Sequence, residues 1–381
     1  MNVAYISFSK IPSREANSIH VMKMSQAYRQ EGHHITLYAP KLAGKPENTD
    51  DLWTRYGIST PFDITFVPTG NHPFSMLRDQ EYAIRVMRNI RGKDISLVHT
   101  RHLYSAMWAS LLNIPTIFDM HDPIIGGRLG QLYFRLLLAG KGFRKIAAIT
   151  QALKSMLPRY LRRGGQVIVA PNGVDIERYD NLPDAVASRR RLGLPPDTFI
   201  AGYSGHLYPG RGMNVIFDAA RRHSDATFLL IGGADEDIAR RKKAVSDAGL
   251  ENVIFSGFVE NTAIPEYLAA CDALLMPYQR SVGTADPSMD SASFFSAMKM
   301  FEYMAANRLI VSSDLPVLRE ILDESNAVLC PPDDTEAWCE AIRRARNDPS
   351  WAEKLAGKAR SDVERYTWRS RVRRILSSID A

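Results

Sequence analysis

This chain makes the same opening twice, and that constrains its fold more than any other feature. Residues 2–7 are a short apolar run, a polar loop follows, and Val21, Met24 and Tyr28 then recur at helical spacing after a capping Ser18. Gly32 ends that helix, and His34–Tyr38 alternates as a strand does. Residues 198–204 begin the pattern again. An apolar run leads into the glycine-rich loop 205–212, and a helix follows with Val215, Ile216 and Ala219 on its apolar side. Strand, loop, helix and strand in this order build a parallel sheet covered by helices. Two such openings in 381 residues predict two α/β domains, with the linker near Pro183.

Residues 290–304 read as a loop entering a helix. Ser296 is a good N-cap, Ala297 to Ala306 are strong helix formers, and Asn307 can take the left-handed conformation that closes a helix. Amides at such a helix start point outward unpaired, at the positive end of the dipole, where a phosphate fits. Lys299 and Glu302 are three apart and share a face. One can meet a phosphate and the other can accept from a sugar diol. The same pair also fits a solvated ion pair on an ordinary helix.

In the first half, strand-like runs end at His99 and at Asp119, with His102 and His121 just beyond. Ligands of open α/β sheets bind past the carboxyl ends of the strands, so all three histidines fall on the functional edge. Each alone fits a hydrogen-bonded structural histidine. Together they favour a functional one, and His121 is the choice. Its neighbours Asp119 and Asp122 either hold its tautomer or cap the next helix.

Composition excludes several classes. Three widely spaced cysteines offer neither a disulfide framework nor zinc spacing, which points to a reducing cytoplasm. The amino terminus reads as a strand, with no signal-peptide pattern, and no apolar run is long enough to span a bilayer. The first loop lacks G-x-G-x-x-G, which argues against a nicotinamide oxidoreductase, and the loop 205–212 lacks the ending of a Walker A. Net charge is +6, and residues 123–174 contain no Asp or Glu but nine Arg and Lys up to Arg163. Leucines around Leu136 lie among them, so this span is either an anionic-membrane surface or a basic solvated face. No nucleic-acid motif accompanies the charges.

Taken together, the two halves, the linker, the 205–212 loop, the Ser256–Val259 turn and residues 299–314 resemble the retaining glycosyltransferases of family 4. The resemblance spans nearly the whole chain. It implies the GT-B fold: two Rossmann-like doubly wound domains facing across a cleft, residues 1–183 on the acceptor side and 184–365 on the nucleotide-sugar side. A closing helix over 366–381 would cross back to the first domain. It further implies sugar transfer from a nucleoside diphosphate to a lipid-linked or saccharide acceptor, with no metal or other cofactor. The protein would be cytoplasmic, either free or peripheral at the inner membrane face.

Residue by residue, the resemblance assigns His121 to the donor sugar and His206 with Arg211 to the diphosphate. Lys299 joins Arg211 at the leaving group. Gly205 and Gly212 bound the loop, Val259 meets the base through its backbone, and Glu302 takes the ribose hydroxyls. Phe295, Ser296, Ala297 and Met298 supply helix-start amides beneath the diphosphate and sugar. His206 stands where the family usually has Arg. Phe294 stands where the first Glu of E-x7-E would fall, and Asp286 or Asp290 could supply the missing acceptor. A sugar-nucleotide epimerase of the same fold and a non-catalytic nucleotide-sugar binder are the alternatives.

Overall fold

The computed structural model describes residues 1–42, 50–70, 72–124, 127–163, 165–283 and 290–377. The chain divides into two compact units. Met1–Gly173 and the segment from Trp368 form the first, and Val174–Thr367 form the second. Residues 174–183, expected in the first domain, thus lie in the second. Residues 184–192 are a helix, Ala185–Leu192, capped by the Asp184 carboxylate, so the expected linker is partly helical.

The first unit carries seven strands: β1 (Asn2–Ile6), β2 (His34–Pro40), β3 (Asp63–Val67), β4 (Leu97–Thr100), β5 (Thr116–Met120), β6 (Phe143–Ala148) and β7 (Val167–Val169). Their order is β3-β2-β1-β4-β5-β6-β7, and the pairs are parallel. The second unit carries β8 (Phe199–Ser204), β9 (Ala226–Ile231), β10 (Val253–Gly257), β11 (Ala273–Met276), β12 (Leu309–Ser313) and β13 (Val328–Cys330). Their order is β10-β9-β8-β11-β12-β13, again parallel. Each is the doubly wound arrangement, whose topological switch falls between β1 and β4 and between β8 and β11.

Central strands here are apolar throughout because both faces are covered. In β9, Phe228 and Leu230 pack into one core with Ile216, Leu275 and Trp338. Leu229 and Ile231 point the other way, into a core with Leu274, Met300, Phe301 and Met304. The alternation is the two-residue period of a strand. A histidine and an aspartate break the pattern in the first sheet: His99 in β4 and Asp119 in β5 are both buried.

The helix Trp368–Leu376 packs on Ala16–Gln30 within the first unit. Trp368, Val372 and Ile375 are its buried apolar face, and Arg369 and Arg373 both reach Glu31 at its rim. Two expected helix starts move. Ala16 precedes Ser18, whose hydroxyl instead donates to the Glu15 carbonyl. The helix expected from Ala297 begins at Met298, with Ala297 at the cap position and no side-chain cap. Ser296 is not the cap because the chain first makes a tight turn, with Phe294 and Phe295 amides donating to the Ser291 carbonyl. Asn307 does close the helix, at φ 53°. Among the described residues no helix is long and apolar enough to cross a membrane.

Candidate active site

In the second unit the site is built where β8 and β11 end, on either side of the switch point. Gly205 leaves β8 at φ 124°, a conformation that favours glycine, and its amide donates to Ile231 O at 2.8 Å. Tyrosines hold this exit. The Tyr203 hydroxyl donates to His206 O at 2.6 Å, and the Ser204 amide donates to the Tyr303 hydroxyl at 2.7 Å. A Cβ on Gly205 would lie 2.9 Å from Lys299 Nζ, so the bare backbone makes room for that amine.

Lys299 Nζ sits 3.8 Å from the Tyr203 ring centre and 5.5 Å from that of Tyr278. The Arg211 guanidinium lies over the same Tyr278 ring at 4.9 Å. Ring faces attract cations, which is how two like charges are tolerated side by side. Arg211 Nη2 donates to Gly283 O at 3.2 Å, but Arg211 Nε and Lys299 Nζ are buried with no hydrogen-bond partner among the described residues. Burial first, then the nearby Arg211, pushes the Lys299 amine well below its ordinary pKa, while Glu302 on the same helix face pulls it back up. The expected Lys299–Glu302 face is present, and the expected helix-start position lies beside it.

Several predicted residues do something else. The other two glycines of the loop serve packing. A Cβ on Gly212 would fall 1.9 Å from Pro277 O, and one on Gly210 2.0 Å from Ser281 O, so the loop lies flat on the chain leaving β11. The His206 imidazole stacks on the Tyr208 ring at 4.7 Å. The Phe295 amide is already spent on Ser291 O, and its ring packs on Tyr278 at 4.6 Å, so Phe295 is a wall and not an amide donor. Ser296, Ala297 and Met298 lead into the helix. Phe294 is buried, and its amide too goes to Ser291 O. Asp290 turns its carboxylate onto the Val282 and Ala292 amides, which removes it as a free acceptor. Asp286 lies outside the described residues. Val259 follows β10 and is half-buried against the core.

In the first unit the site is a buried carboxylate with cations and imidazoles around it. Asp119 Oδ1 accepts from Arg371 Nη2 at 2.7 Å and lies 3.3 Å from His121 Nε2. Its Oδ2 is 3.4 Å from His20 Nε2 and 3.4 Å from His99 Nε2. The far nitrogens are tied too: His99 Nδ1 is 2.8 Å from the Tyr28 hydroxyl and His20 Nδ1 3.0 Å from Asn172 Oδ1. Burial alone would raise the Asp119 carboxyl, but Arg371 and the imidazoles hold it well below the usual range. Burial pushes His121 down to about 3, helped by the positive Arg101, so this imidazole is neutral at physiological pH. Of the three expected histidines, His99 is core. His102 is buried as well, its Nδ1 2.9 Å from the Ser105 hydroxyl, and burial brings it down to about 3. His121 is the least covered of the three, with about 9% of its side chain exposed. His20, Asp119 and His121 also lie close enough to form a three-ligand set, but Arg371 already occupies Asp119 Oδ1. A guanidinium on the carboxylate opposes a second cation there.

Sequence reasoning missed Tyr203, Tyr278, His20 and Arg371. An aspartate inside the apolar run of β5 was a legible signal of a buried charge wanting a partner. Arg371 stands three after Trp368 and four before Ile375, so helical spacing puts it on the apolar face, apart from Arg369, Arg373 and Arg374, but does not say which charge it meets.

Two doubly wound parallel sheets, the second with Arg211 and Lys299 at its switch point, are the arrangement of the GT-B fold. Anabaena HepE in complex with UDP superposes with a TM-score of 0.75 over 100% of both chains, at 18% identity. Sucrose-phosphate synthase from Thermosynechococcus elongatus gives 0.75 over 99% of this chain and 97% of its own, at 19% identity. Residues 198–348 match the model of glycosyl transferases group 1, and residues 18–178 match that of Glycosyltransferase Family 4. The chain belongs to this glycosyltransferase family and is a glycosyltransferase. The phosphatidyl-myo-inositol mannosyltransferase of Mycolicibacterium smegmatis is 23% identical over 92% of this chain and 86% of its own. The 2-deoxystreptamine glucosyltransferase of Streptomyces kanamyceticus is 32% identical over 35% of this chain and 36% of its own.

Proposed function

We propose that the enzyme moves a sugar from a nucleoside diphosphate to a lipid-linked or saccharide acceptor, with retention at the reacting carbon and without a metal. The observation that carries this reading is the Arg211–Lys299 pair, held on Tyr278, with Arg211 Nε and Lys299 Nζ buried and without a hydrogen-bond partner among the described residues. Breaking a sugar–diphosphate bond builds negative charge on the leaving phosphate. Two preorganised cations in a site shielded from water stabilise that charge without reorganising. The start of the helix Met298–Ala305 adds its dipole. Glu302 takes the ribose diol and the backbone at Val259 meets the base. The leaving phosphate helps to deprotonate the acceptor on the face it departs from, so no enzymic nucleophile is needed. His121 is the first unit's group for the donor sugar.

The solved structure of HepE was obtained with UDP, and the mycobacterial relative is named for a phosphatidylinositol acceptor. These make a uridine donor and a lipid acceptor the first combinations to try. The membrane reading gains a more defined surface. Leu136 is only half-buried and Leu137 is core, whereas Leu129 and Leu132 of the helix Gly127–Ala139 are about half exposed, next to exposed Arg128 and Arg135. Phe74 and Leu77, at the start of the helix Ser75–Ile90, are exposed too. Arg144 and Lys145, by contrast, belong to strand β6. The test is a thermal-shift panel of UDP, GDP, ADP, CDP and dTDP, followed by transfer assays with the matching donor and pooled acceptors. A diphosphate that stabilises the protein with neither transfer nor donor hydrolysis would mark it as a binder and overturn the reading.

A further inference from the structure

We infer that Arg371, on the closing helix, is a positioning residue that sets His121 for the donor sugar through the Asp119 carboxylate. The inference rests on the reading of His121 given above and assigns the means by which that imidazole is held.

Asp119 is the hub. Oδ1 accepts from Arg371 and has His121 Nε2 at 3.3 Å, while Oδ2 has the Nε2 atoms of His20 and His99 at 3.4 Å, the imidazoles lying within electrostatic reach but outside hydrogen-bond alignment. A carboxylate in such a setting could turn about its own axis and exchange partners. Arg371 prevents this, because its guanidinium is fixed at three points. Nε donates to Ala170 O and to Pro171 O, each at 3.1 Å, Nη2 donates to Asp119, and Nη1 abuts Met24 Sδ at 3.3 Å. The planar fork thus chooses which oxygen faces His121. His121 Nε2 lies 3.3 Å from Asp119 Oδ1, outside hydrogen-bond alignment, and a lone pair held that close to the carboxylate would be repelled, so the ring proton belongs on Nε2. The remaining nitrogen, Nδ1, then carries the lone pair and can accept from a sugar hydroxyl.

Docking of the helix does not require this ion pair. Trp368, Val372 and Ile375 already bury its apolar face, and Arg369 and Arg373 already clamp Glu31. Arg371 and Asp119 are almost wholly buried, 3% and 1% exposed. A buried ion pair is at best near neutral for stability against an apolar pair of the same volume. Retaining a charge there is accounted for by orientation.

The experiment compares Arg371→Lys, Arg371→Gln and Asp119→Asn with the surface control Arg369→Ala/Arg373→Ala. Each protein is folded-state checked by circular dichroism and melting. The readouts are UDP affinity, kcat and KM for transfer, and the ring-nitrogen shifts of 15N-histidine, with the His121 signal assigned by His121→Ala. Arg371→Lys keeps the charge and loses the fork. It should lower kcat at least tenfold with UDP affinity unchanged, and the His121 nitrogens should leave the Nε2-protonated pattern. Asp119→Asn should do the same, while the surface control should match the wild type. Wild-type kcat and wild-type His121 shifts in folded Arg371→Lys would overturn the inference, as would a surface control that loses kcat equally. The underlying reading fails separately: it is wrong if His121→Ala itself keeps full transfer.

Discussion

Replacing Lys299 by methionine should strengthen the empty fold and weaken the donor complex. In the wild type the amine is buried, has no hydrogen-bond partner among the described residues and faces Arg211. An unsatisfied buried polar group costs about 1–3 kcal/mol. The Tyr203 and Tyr278 rings return about 0.5–2 kcal/mol of that through cation–π attraction. Methionine keeps the length and the ring contact but drops the charge, so the second unit should gain about 1 kcal/mol. For a unit of this size that is a rise of about 2–4 °C in Tm. The gain depends on pH in a definite direction. The folded-state pKa of Lys299 is lowered, so the unfolded chain binds the proton more tightly. Wild-type stability therefore rises with pH up to the unfolded lysine value of about 10.4, and the advantage of the variant shrinks over the same range. With a diphosphate bound the order reverses. A charge-assisted hydrogen bond contributes about 1.5–3 kcal/mol, which is roughly 10- to 150-fold in affinity. Calorimetry with the nucleoside diphosphate chosen by the thermal-shift panel, alongside melting curves with and without it, reads both signs. A variant that melts lower than the wild type and binds the diphosphate equally well would make Lys299 a structural residue and refute the reasoning.

Arg211→Ala should lower turnover by about 10²-fold or more, measured as initial rate with saturating donor, because it removes the other cation at the leaving group. Glu302→Gln should weaken binding of the nucleoside diphosphate by about 1.5–3 kcal/mol, and unchanged affinity in the folded variant would return Glu302 to an ordinary helix face. His121→Ala should reduce transfer while leaving diphosphate affinity nearly intact, as calorimetry and kinetics on the same preparation would register. Leu129→Ser with Leu132→Ser should reduce sedimentation with anionic vesicles, and wild-type binding should fall steeply between two salt levels. Equal binding to neutral vesicles, or none to either kind, would leave the basic span a solvated face.

The alternation of apolar strands and amphipathic helices is a local property, so the sequence alone determined two doubly wound α/β sheets and which residues stand at their carboxyl edges. Gly205, Arg211 and His121 could be placed at those edges for that reason, and Lys299 and Glu302 on one face of the helix Met298–Ala305 by their spacing. The residues beside them were not, because their partners are far away along the chain. Tyr278 becomes the floor under two cations only when β11 is laid next to β8. Gly210 and Gly212 look like ligand-cradling glycines until the chain after β11 is seen pressed against them. Phe295 looks like a helix-start amide until the turn at Ser291 takes its N–H. Arg371 is one arginine among several in a basic helix, and only the docking of that helix brings it to an aspartate 252 positions earlier. Period and propensity act over a few residues and can be read in order. Which buried charge meets which counter-charge depends on long-range packing, and only the tertiary structure decided it.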